Sequence, residues 1–309
     1  MSMARIGERL AAGKLVFLDG AIGTELQRRG AEMHDEAWCA LATETAPDIL
    51  RGIHEDYIAA GADIVTVNTY SASRNMLGPA GLGDKVAPLH RQAVEIAMEA
   101  RERAAAGRPV AVAGSMSHMV PMVRGGTFND PAREPDAAEL AANFQEEAEL
   151  LKEAGCELIL MEMMSHPGRA KLAVAAARAT GLPVWVGFAV READGALVSY
   201  VRESYPIAEL VAEIVPAGGE VMGVMHTNVH LTGPALDAVR AQWDGPLMAY
   251  PDSGYFTMPD WQFEEIIPPD AFAGACLEWA DAGVQILGGC CGLTVDHIRA
   301  MTAALGGRA

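Results

Sequence analysis

The sequence predicts a single α/β domain over residues 1–309, folded as a (β/α)8 TIM barrel. Short apolar runs rich in Val, Ile and Leu alternate with Ala/Glu/Arg-rich segments that have helical spacing. The near-continuous apolar runs are typical of strands buried on both faces, as in a parallel sheet. Eight such βα units in 309 residues match the barrel in number and length. A doubly wound open sheet is the alternative, but no G-x-G-x-x-G motif opens the first helix.

Each predicted element follows from its apolar pattern and its flanking residues. The predicted strands are Leu15–Leu18, Asp63–Val67, Val110–Ala113, Glu157–Met161, Val184–Phe188, Val221–Val224, Leu247–Ala249 and Val284–Leu287. The predicted helices are Pro47–Ala60, Lys85–Ala106, Ala137–Ala154, Gly168–Thr180, Pro206–Ala217, Thr232–Trp243, Ala271–Ala282 and Val295–Leu305. Several helices stop at a glycine just before the next strand, as αβ loops do. Two irregular insertions, Pro121–Pro135 and Asp252–Pro269, follow the third and seventh strands.

Composition excludes several classes of protein. A formal net charge of -18 argues against partners such as nucleic acid or anionic membrane surfaces, which need Lys and Arg. Five cysteines without a regular framework spacing fit a reducing compartment better than secretion. The N-terminal stretch lacks the apolar core of a signal peptide, and no run of about 18 apolar residues suggests a membrane span. We therefore expect a cytoplasmic protein.

Polar side chains stand where several predicted strands end, which is where barrel enzymes keep their active sites. The candidates at these strand ends are Asp19, Gly20, Asn68, Thr69, Glu162 and His226. Each has a purely structural alternative: an Asp before Gly shapes a tight turn, and Asn or Thr caps the next segment. A carboxylate at the end of an apolar strand, such as Glu162, is costly to bury without a partner.

The stretch Val284–Gly292, VQILGGCCG, places two adjacent cysteines directly after the last predicted strand. Cys290 and Cys291 are interpreted as metal ligands, with a buried apolar pair and a vicinal disulfide as alternatives. One imidazole, His226, and two thiolates suit Zn²⁺ with one open position. Zinc at such a site would either ionise a substrate thiol or activate water for hydrolysis. The remaining cysteines are expected to be inert packing residues: Cys39, Cys156 and Cys276.

These motifs together resemble the homocysteine S-methyltransferases. The resemblance rests on LDGAIGTELQRRG, GADIVTVNTY, Glu162, AYPDSGYF and GGCCG, and it extends in order over nearly the whole chain. DGAxGT together with GGCCG is highly specific. The resemblance implies a (β/α)8 barrel whose zinc-bound homocysteine thiolate accepts a methyl group to give methionine, by direct in-line transfer.

The resemblance also implies roles for individual residues. Cys290 and Cys291 match two of the family's three zinc ligands. Asp19, Gly20 and Glu162 match positions around homocysteine: the Glu carboxylate pairs with the ammonium, and backbone N–H groups after the first strand hold the carboxylate. Asn68 and Thr69 match the turn after the second strand, which lines the pocket in this family.

The sequence departs from the family pattern at the sixth strand. Relatives typically read G-x-N-C there, and this chain reads Gly223-Val224-Met225-His226. His226 therefore stands where the third zinc-binding cysteine is expected, and a Cys₂His set is a recognised catalytic combination. The exchange of thiolate for neutral imidazole makes the metal a stronger Lewis acid and its bound thiolate a weaker nucleophile. A second departure is Ser117-His118-Met119, where relatives often carry a Gly/Pro-rich turn.

The methyl donor expected from the resemblance is a sulfonium compound, such as S-methylmethionine or S-adenosylmethionine, since the chain lacks room for folate and cobalamin modules. An onium or betaine donor is the alternative. A sulfonium cation suits an aromatic wall, for which the candidates are Trp185, Phe188, Tyr255 and Phe256. Two other functions stay open: a zinc hydrolase on the same barrel, and a non-catalytic, metal-free relative that binds a small amino acid or methylated metabolite.

Overall fold

Eight parallel strands form the barrel in the computed structural model, which describes residues 2–123, 128–257 and 262–309. The strands are β1 (Val16–Phe17), β2 (Ile64–Thr66), β3 (Ala111–Ser117), β4 (Leu158–Glu162), β5 (Val184–Phe188), β6 (Val221–Asn228), β7 (Leu247–Asp252) and β8 (Ile286–Leu287). Their spatial order follows the chain, and β8 pairs with β1. A bridge between Leu18 and Ile64 joins β1 to β2 and closes the circle. The predicted TIM barrel is confirmed, and the doubly wound sheet is excluded.

A helix follows each strand, as predicted. These helices are α1 (Pro47–Ala59), α2 (Val86–Ala104), α3 (Ala137–Ala154), α4 (Pro167–Ala179), α5 (Ile207–Ile214), α6 (Val229–Arg240), α7 (Pro269–Asp281) and α8 (Val295–Leu305). The fifth predicted helix ends as a 3₁₀ turn, Val215–Ala217. Gly155 adopts φ 106° after α3, the left-handed conformation that the glycine stop signal requires.

The barrel interior is a packed core rather than a pore. Alternate strand residues point inward, as the period of two demands. The inward side chains form one buried cluster: Val16, Leu18, Ile64, Ala111, Ala113, Leu158, Leu160, Trp185, Val221, Met225, Met248, Tyr250 and Ile286. Their neighbours along the strands pack outward against the helices. Chemistry is therefore confined to the two ends of the barrel.

A helix at the N-terminus, Ser2–Ala11, closes the amino-terminal end of the barrel. Its Ile6 is 2% exposed and joins the interior cluster. Arg9 holds the helix in place through an ion pair of 2.8 Å with Asp63, at the start of β2. This helix was not predicted from the sequence. Because this end is covered, the carboxyl ends of the strands are the open face.

Two antiparallel hairpins lie at that open face. One pairs Val190–Ala193 with Ala196–Ser199 after β5, and the other pairs Tyr255–Thr257 with Gln262–Glu264 after β7. The first was missed although Asp194-Gly195, with φ of 51° and 76°, is a strong hairpin signal. The insertions extend over residues 124–127 and 258–261, which lie outside the described part of the chain. No described helix has both the length and the apolar character needed to span a membrane.

Candidate active site

A cavity of about 1120 Å³ opens at the carboxyl ends of the barrel strands. Most of the residues predicted for the site line it: Gly20, Asn68, Glu162, His226, Cys290 and Cys291. Asp19 and Thr69 are not among the lining residues. Small-molecule sites usually occupy about 300–1000 Å³, so this cavity has room for two small reactants.

Three soft donor atoms face one another in this cavity. The Sγ atom of Cys290 lies 3.7 Å from Nδ1 of His226 and 3.9 Å from Sγ of Cys291. All three donor atoms lie within 4.8 Å of one another. Around a tetrahedral Zn²⁺ with ordinary bond lengths, two thiolates stand about 3.8 Å apart, and a thiolate and an imidazole about 3.5 Å apart. The set therefore fits a Cys₂His metal site.

The two cysteines are free thiols, so the vicinal disulfide is absent from this structure. The neighbouring thiol of Cys291 raises the pKa of Cys290 well above its usual value, and burial adds to this effect. For His226, burial acts to lower the pKa, but Cys290 and Asp252 outweigh it and raise the pKa to about 9. The Cys290 thiol thus needs a positive partner before it ionises, and a metal ion is such a partner.

Two glycines allow the cysteines to reach this position. A Cβ atom on Gly288 would lie 2.6 Å from Cβ of Leu18, and one on Gly289 would lie 2.6 Å from Cβ of Leu293. Both approaches are shorter than real side chains permit. The backbone N–H of Gly289 donates to the carbonyl of Asp19 at 3.0 Å, which fixes the turn against β1. The GG of GGCCG is therefore required by close packing.

His226 is held in an unusual backbone conformation. Its φ is 43°, and the pairing of β6 with β7 shifts register between Met225 and Asn228. Non-glycine residues in this region are strained and cluster at functional sites. The ring of Tyr200 packs edge-on against the imidazole at 5.5 Å between centroids, and Oδ2 of Asp252 lies 3.7 Å from Nδ1. The bulge thus turns the imidazole toward the two cysteines.

Glu162 ends β4 with its carboxylate buried beside the cavity. Ser115 on β3 donates a hydrogen bond of 2.5 Å to Oε1. Burial raises the pKa of Glu162 to about 7, against the lowering effect of this hydrogen bond. A ligand ammonium beside it would favour the ionised form. The carboxylate is thus suited to hold a cationic group of a substrate.

Asp19 is fully buried behind the cavity wall. Its carboxylate accepts hydrogen bonds from the backbone N–H of Thr66 at 2.6 Å, the hydroxyl of Thr66 at 3.0 Å and the hydroxyl of Tyr250 at 2.8 Å. Burial raises its pKa to about 7. Thr66 and Tyr250 both line the cavity. Asp19 therefore connects β1, β2 and β7 and supports the lining from behind.

The turn after β2 is tied to its neighbours. The amide of Asn68 donates to the carbonyl of Cys39 at 2.9 Å and to the hydroxyl of Thr43 at 3.1 Å, and its Oδ1 accepts from the Cys39 thiol at 3.1 Å. The hydroxyl of Thr69 donates to the carbonyl of Ser115 at 2.6 Å. Cys39 itself lines the cavity, so describing it as inert packing was incomplete. Burial raises its pKa to about 12, which keeps it a thiol donor.

The aromatic lining differs from the expectation. Trp185 belongs to the barrel interior and Phe188 to the core beneath the helices, and neither lines the cavity. Trp185 faces the barrel interior near the start of β5, below the cavity, whereas Phe188 ends the strand on the face that packs against the helices. A continuously apolar strand does not show which face is which. Tyr255 does line the cavity and is 67% exposed, whereas the side chain of Phe256 lies outside the described part of the structure. The aromatic side chains found there instead are Trp38, Tyr70, Phe128, Tyr200 and Tyr250.

Two further polar lining residues were missed by sequence reasoning. His118 Nε2 accepts hydrogen bonds from the backbone N–H groups of Ser165 at 2.7 Å and His166 at 3.1 Å. Burial holds the pKa of His118 well below its usual value, so the ring is a neutral acceptor at the start of α4. Arg169, in the first turn of that helix, also lines the cavity. His118 follows β3 directly, but the sequence marked it only as a departure from the family pattern; Arg169 lies in a helix, where no strand end marks it.

Comparison with known proteins agrees with this geometry. The family model described as homocysteine S-methyltransferase matches residues 16–305. Selenocysteine Se-methyltransferase of Brassica oleracea var. italica is 28% identical, over 94% of this chain and 88% of the relative. Homocysteine S-methyltransferase of Escherichia coli (strain K12) is 27% identical, over 94% of each chain.

Among solved structures, the metallated form of the homocysteine methyltransferase MmuM from Escherichia coli superposes with a TM-score of 0.78. It is 24% identical in sequence, and the match covers 98% of this chain and 99% of that one. This likeness supports the barrel fold independently of the strand pattern. Since the family model covers nearly the whole barrel, from β1 to the end of α8, the chain belongs to the homocysteine S-methyltransferase family and is a methyltransferase.

Proposed function

We propose that this protein transfers a methyl group from a sulfonium donor to the thiol of homocysteine, giving methionine. The observation that carries the proposal is the Cys₂His donor set of His226, Cys290 and Cys291 inside a cavity large enough for two reactants. The two named relatives act on homocysteine or selenocysteine according to their names, so a selenol acceptor is the natural second substrate to test. An onium or betaine compound is the second donor class to test.

Zn²⁺ is the cofactor that we propose for this donor set. Bound there, it would keep the substrate thiol ionised at neutral pH, where a free thiol with a pKa of about 8.5 is largely protonated. The protein's part is to hold the three ligands at their spacing and to leave one position open toward the cavity. No general base is then required from the chain.

Homocysteine would be held through its amino-acid end. Glu162 pairs with the ammonium, and the backbone around Gly20 donates to the carboxylate. Asn68 shapes the wall beside them, while Asp19 and Thr69 act indirectly through Tyr250, Thr66 and the carbonyl of Ser115. Holding both reactants in one cavity aligns the donor methyl with the thiol, and such alignment lowers the barrier of a bimolecular step.

The same proposal covers the whole of residues 1–309 as one homocysteine S-methyltransferase-like domain and places it in the cytoplasm. The five free cysteines support a reducing compartment. Neither nucleic acid nor membrane is proposed as a partner, because the chain carries a net charge of -18.

The test combines metal analysis with turnover. Protein purified without chelators or a metal-binding tag should contain about one zinc per chain. His226→Ala and Cys290→Ala should each lower the zinc content. Zinc-loaded wild type should form methionine from homocysteine with S-methylmethionine or S-adenosylmethionine. Hydrolysis of a substrate panel without methyl transfer would favour the zinc hydrolase. Metal-free protein that still binds a methylated metabolite would favour the non-catalytic relative.

A further inference from the structure

A buried arginine stands in the wall of the proposed reaction cavity. Arg169 is only 3% exposed, lies in the first turn of α4 and lines the same cavity as Glu162, His226 and Cys290. Burying a guanidinium is costly unless its N–H groups and its charge find partners. The position of Arg169 therefore calls for a specific anionic partner.

The protein supplies only part of that partner. Nη1 of Arg169 lies 3.1 Å from Oε1 of Glu134, an ion pair by distance. Within the described ranges, however, Nε is buried and has no hydrogen-bond partner, and Glu134 is the one partner found for Nη1. Burial lowers the pKa of Arg169 more than Glu134 and Glu203 raise it, so these two acids compensate the buried charge incompletely. Glu203 is exposed to solvent, which screens its effect.

The other arginines of this wall are more fully engaged. Nη2 of Arg191 donates to the hydroxyl of Ser204 at 2.7 Å, and its guanidinium lies 5.7 Å from the centre of the Phe128 ring. Arg133 lies 3.6 Å from a carboxylate oxygen of Glu36 and is only partly buried. Nε of Arg191 is also buried without a hydrogen bond among the described residues, but Arg169 is the most deeply buried of these three lining cations.

We infer that Arg169 binds the carboxylate of the methyl donor and thereby selects donors that carry one. The inference rests on the proposed function, in which Glu162 and the backbone near Gly20 already bind the amino-acid end of homocysteine. A guanidinium presents paired N–H groups that match the two oxygens of a carboxylate. The preferred donor is accordingly a sulfonium compound that bears a carboxylate, and a sulfonium without one is a poor donor.

The test compares two donors that differ only in that group: S-methyl-L-methionine and its decarboxylated analogue, (3-aminopropyl)dimethylsulfonium. Wild type should prefer the carboxylate-bearing donor in kcat/KM by roughly 10- to 100-fold, the range for a hydrogen bond to a charged group. Arg169→Met should abolish this preference by raising the KM for S-methylmethionine, with the KM for homocysteine unchanged. Arg169→Lys should retain part of it and serves as the folded variant if Arg169→Met unfolds.

Lys171→Met is the matched control. It removes a cation two residues further along α4, where Lys171 pairs with Glu213 at 2.7 Å on the exposed face. Wild-type donor preference is expected for this variant. Glu134→Gln tests whether Arg169 serves only to anchor the loop after β3. If Glu134→Gln loses the donor preference as Arg169→Met does, the anchoring role explains the data and the inference is overturned.

Binding measured without turnover separates this inference from the proposed function. Each sulfonium is titrated calorimetrically into zinc-loaded protein without homocysteine. Wild type should bind S-methylmethionine more tightly than the decarboxylated analogue, and Arg169→Met should bind the two with similar affinity. If that preference exists but no donor is turned over, the proposed function fails and the anion site stands. Methyl transfer could proceed while Arg169→Met keeps the wild-type donor preference, or while it weakens the binding of homocysteine instead of the donor. Either result would show that the assignment of Arg169 to the donor is wrong.

Discussion

Asp252 at the end of β7 faces His226 at the end of β6, with 3.7 Å between Oδ2 and Nδ1. Asp252 is almost fully buried and lines the cavity. The same Nδ1 atom lies 3.7 Å from Sγ of Cys290, so Asp252 does not hold the imidazole through its second ring nitrogen. The Asp252 carboxylate instead adds a buried negative charge beside the donor set, which favours a bound cation.

The first prediction therefore concerns Asp252→Asn, which keeps the shape of the side chain and removes its charge. Zinc affinity should fall by about 10-fold, or about 1.4 kcal/mol, because a bound cation loses this nearby negative charge. Competition with a chromogenic chelator measures this directly. Asp252→Glu keeps the charge and should retain most of the zinc affinity. An equal loss in Asp252→Asn and Asp252→Glu would contradict the electrostatic role.

The second prediction is a pH dependence set by Glu162. Its pKa of about 7 in the free protein means that the carboxylate ionises as pH rises through neutrality. If the ionised form binds the homocysteine ammonium, kcat/KM for homocysteine should fall as pH drops below about 7. Glu162→Gln should raise the KM for homocysteine and remove this acidic limb. If the fall of kcat/KM at acidic pH persists unchanged in Glu162→Gln, another group causes it.

The third prediction concerns stability and His54, which is fully buried in α1. Among the described residues neither ring nitrogen has a hydrogen-bond partner, and burial lowers the pKa to about 4. The unfolded chain binds a proton near pH 6.5, so the folded state should lose stability as pH falls from about 6.5 to 4. The loss should approach about 3 kcal/mol at the acidic end.

His54→Leu should remove this contribution and raise stability at neutral pH by about 1 kcal/mol, because an unpaired buried polar group is replaced by an apolar one. Urea unfolding at several pH values measures the difference between variant and wild type. The difference in the free energy of unfolding between His54→Leu and wild type should increase toward pH 4 and stay constant above pH 7. A difference that does not change with pH would show that His54 is not neutral and buried as described.

The fourth prediction tests the turn that carries the cysteines. Gly289→Ala should displace Cys290 and Cys291, because the new Cβ would meet Leu293 at 2.6 Å. Zinc content should fall and the melting temperature should drop. Gly7→Ala is the control, since a Cβ there meets nothing within 4 Å in the N-terminal helix. If Gly289→Ala keeps its full zinc content, the Leu293 side chain moves to accept the new Cβ and the glycine is not required.

Much of the fold was predictable because its cause is local. Continuous apolar runs and glycine stops reveal buried strands and the ends of helices such as α3, whatever lies elsewhere in the chain. The candidate metal site was also predictable, since parallel strands in a barrel end at one rim. His226 and Cys290 are 64 positions apart in the chain, and this topology alone brings them together.

The tertiary structure decided the rest. Trp185 faces the barrel interior and Phe188 faces the helices, and an apolar strand shows no difference between these two buried faces. Asp19 supports Tyr250 rather than lining the cavity, and this contact joins residues 231 positions apart. Arg169 and Cys39 reach the wall from a helix and a loop, where no strand end marks them. The sequence by itself determined the barrel and the rim on which chemistry takes place, because these follow from periodicity. The partners of each buried polar group depend on distant contacts, which only the folded chain defines.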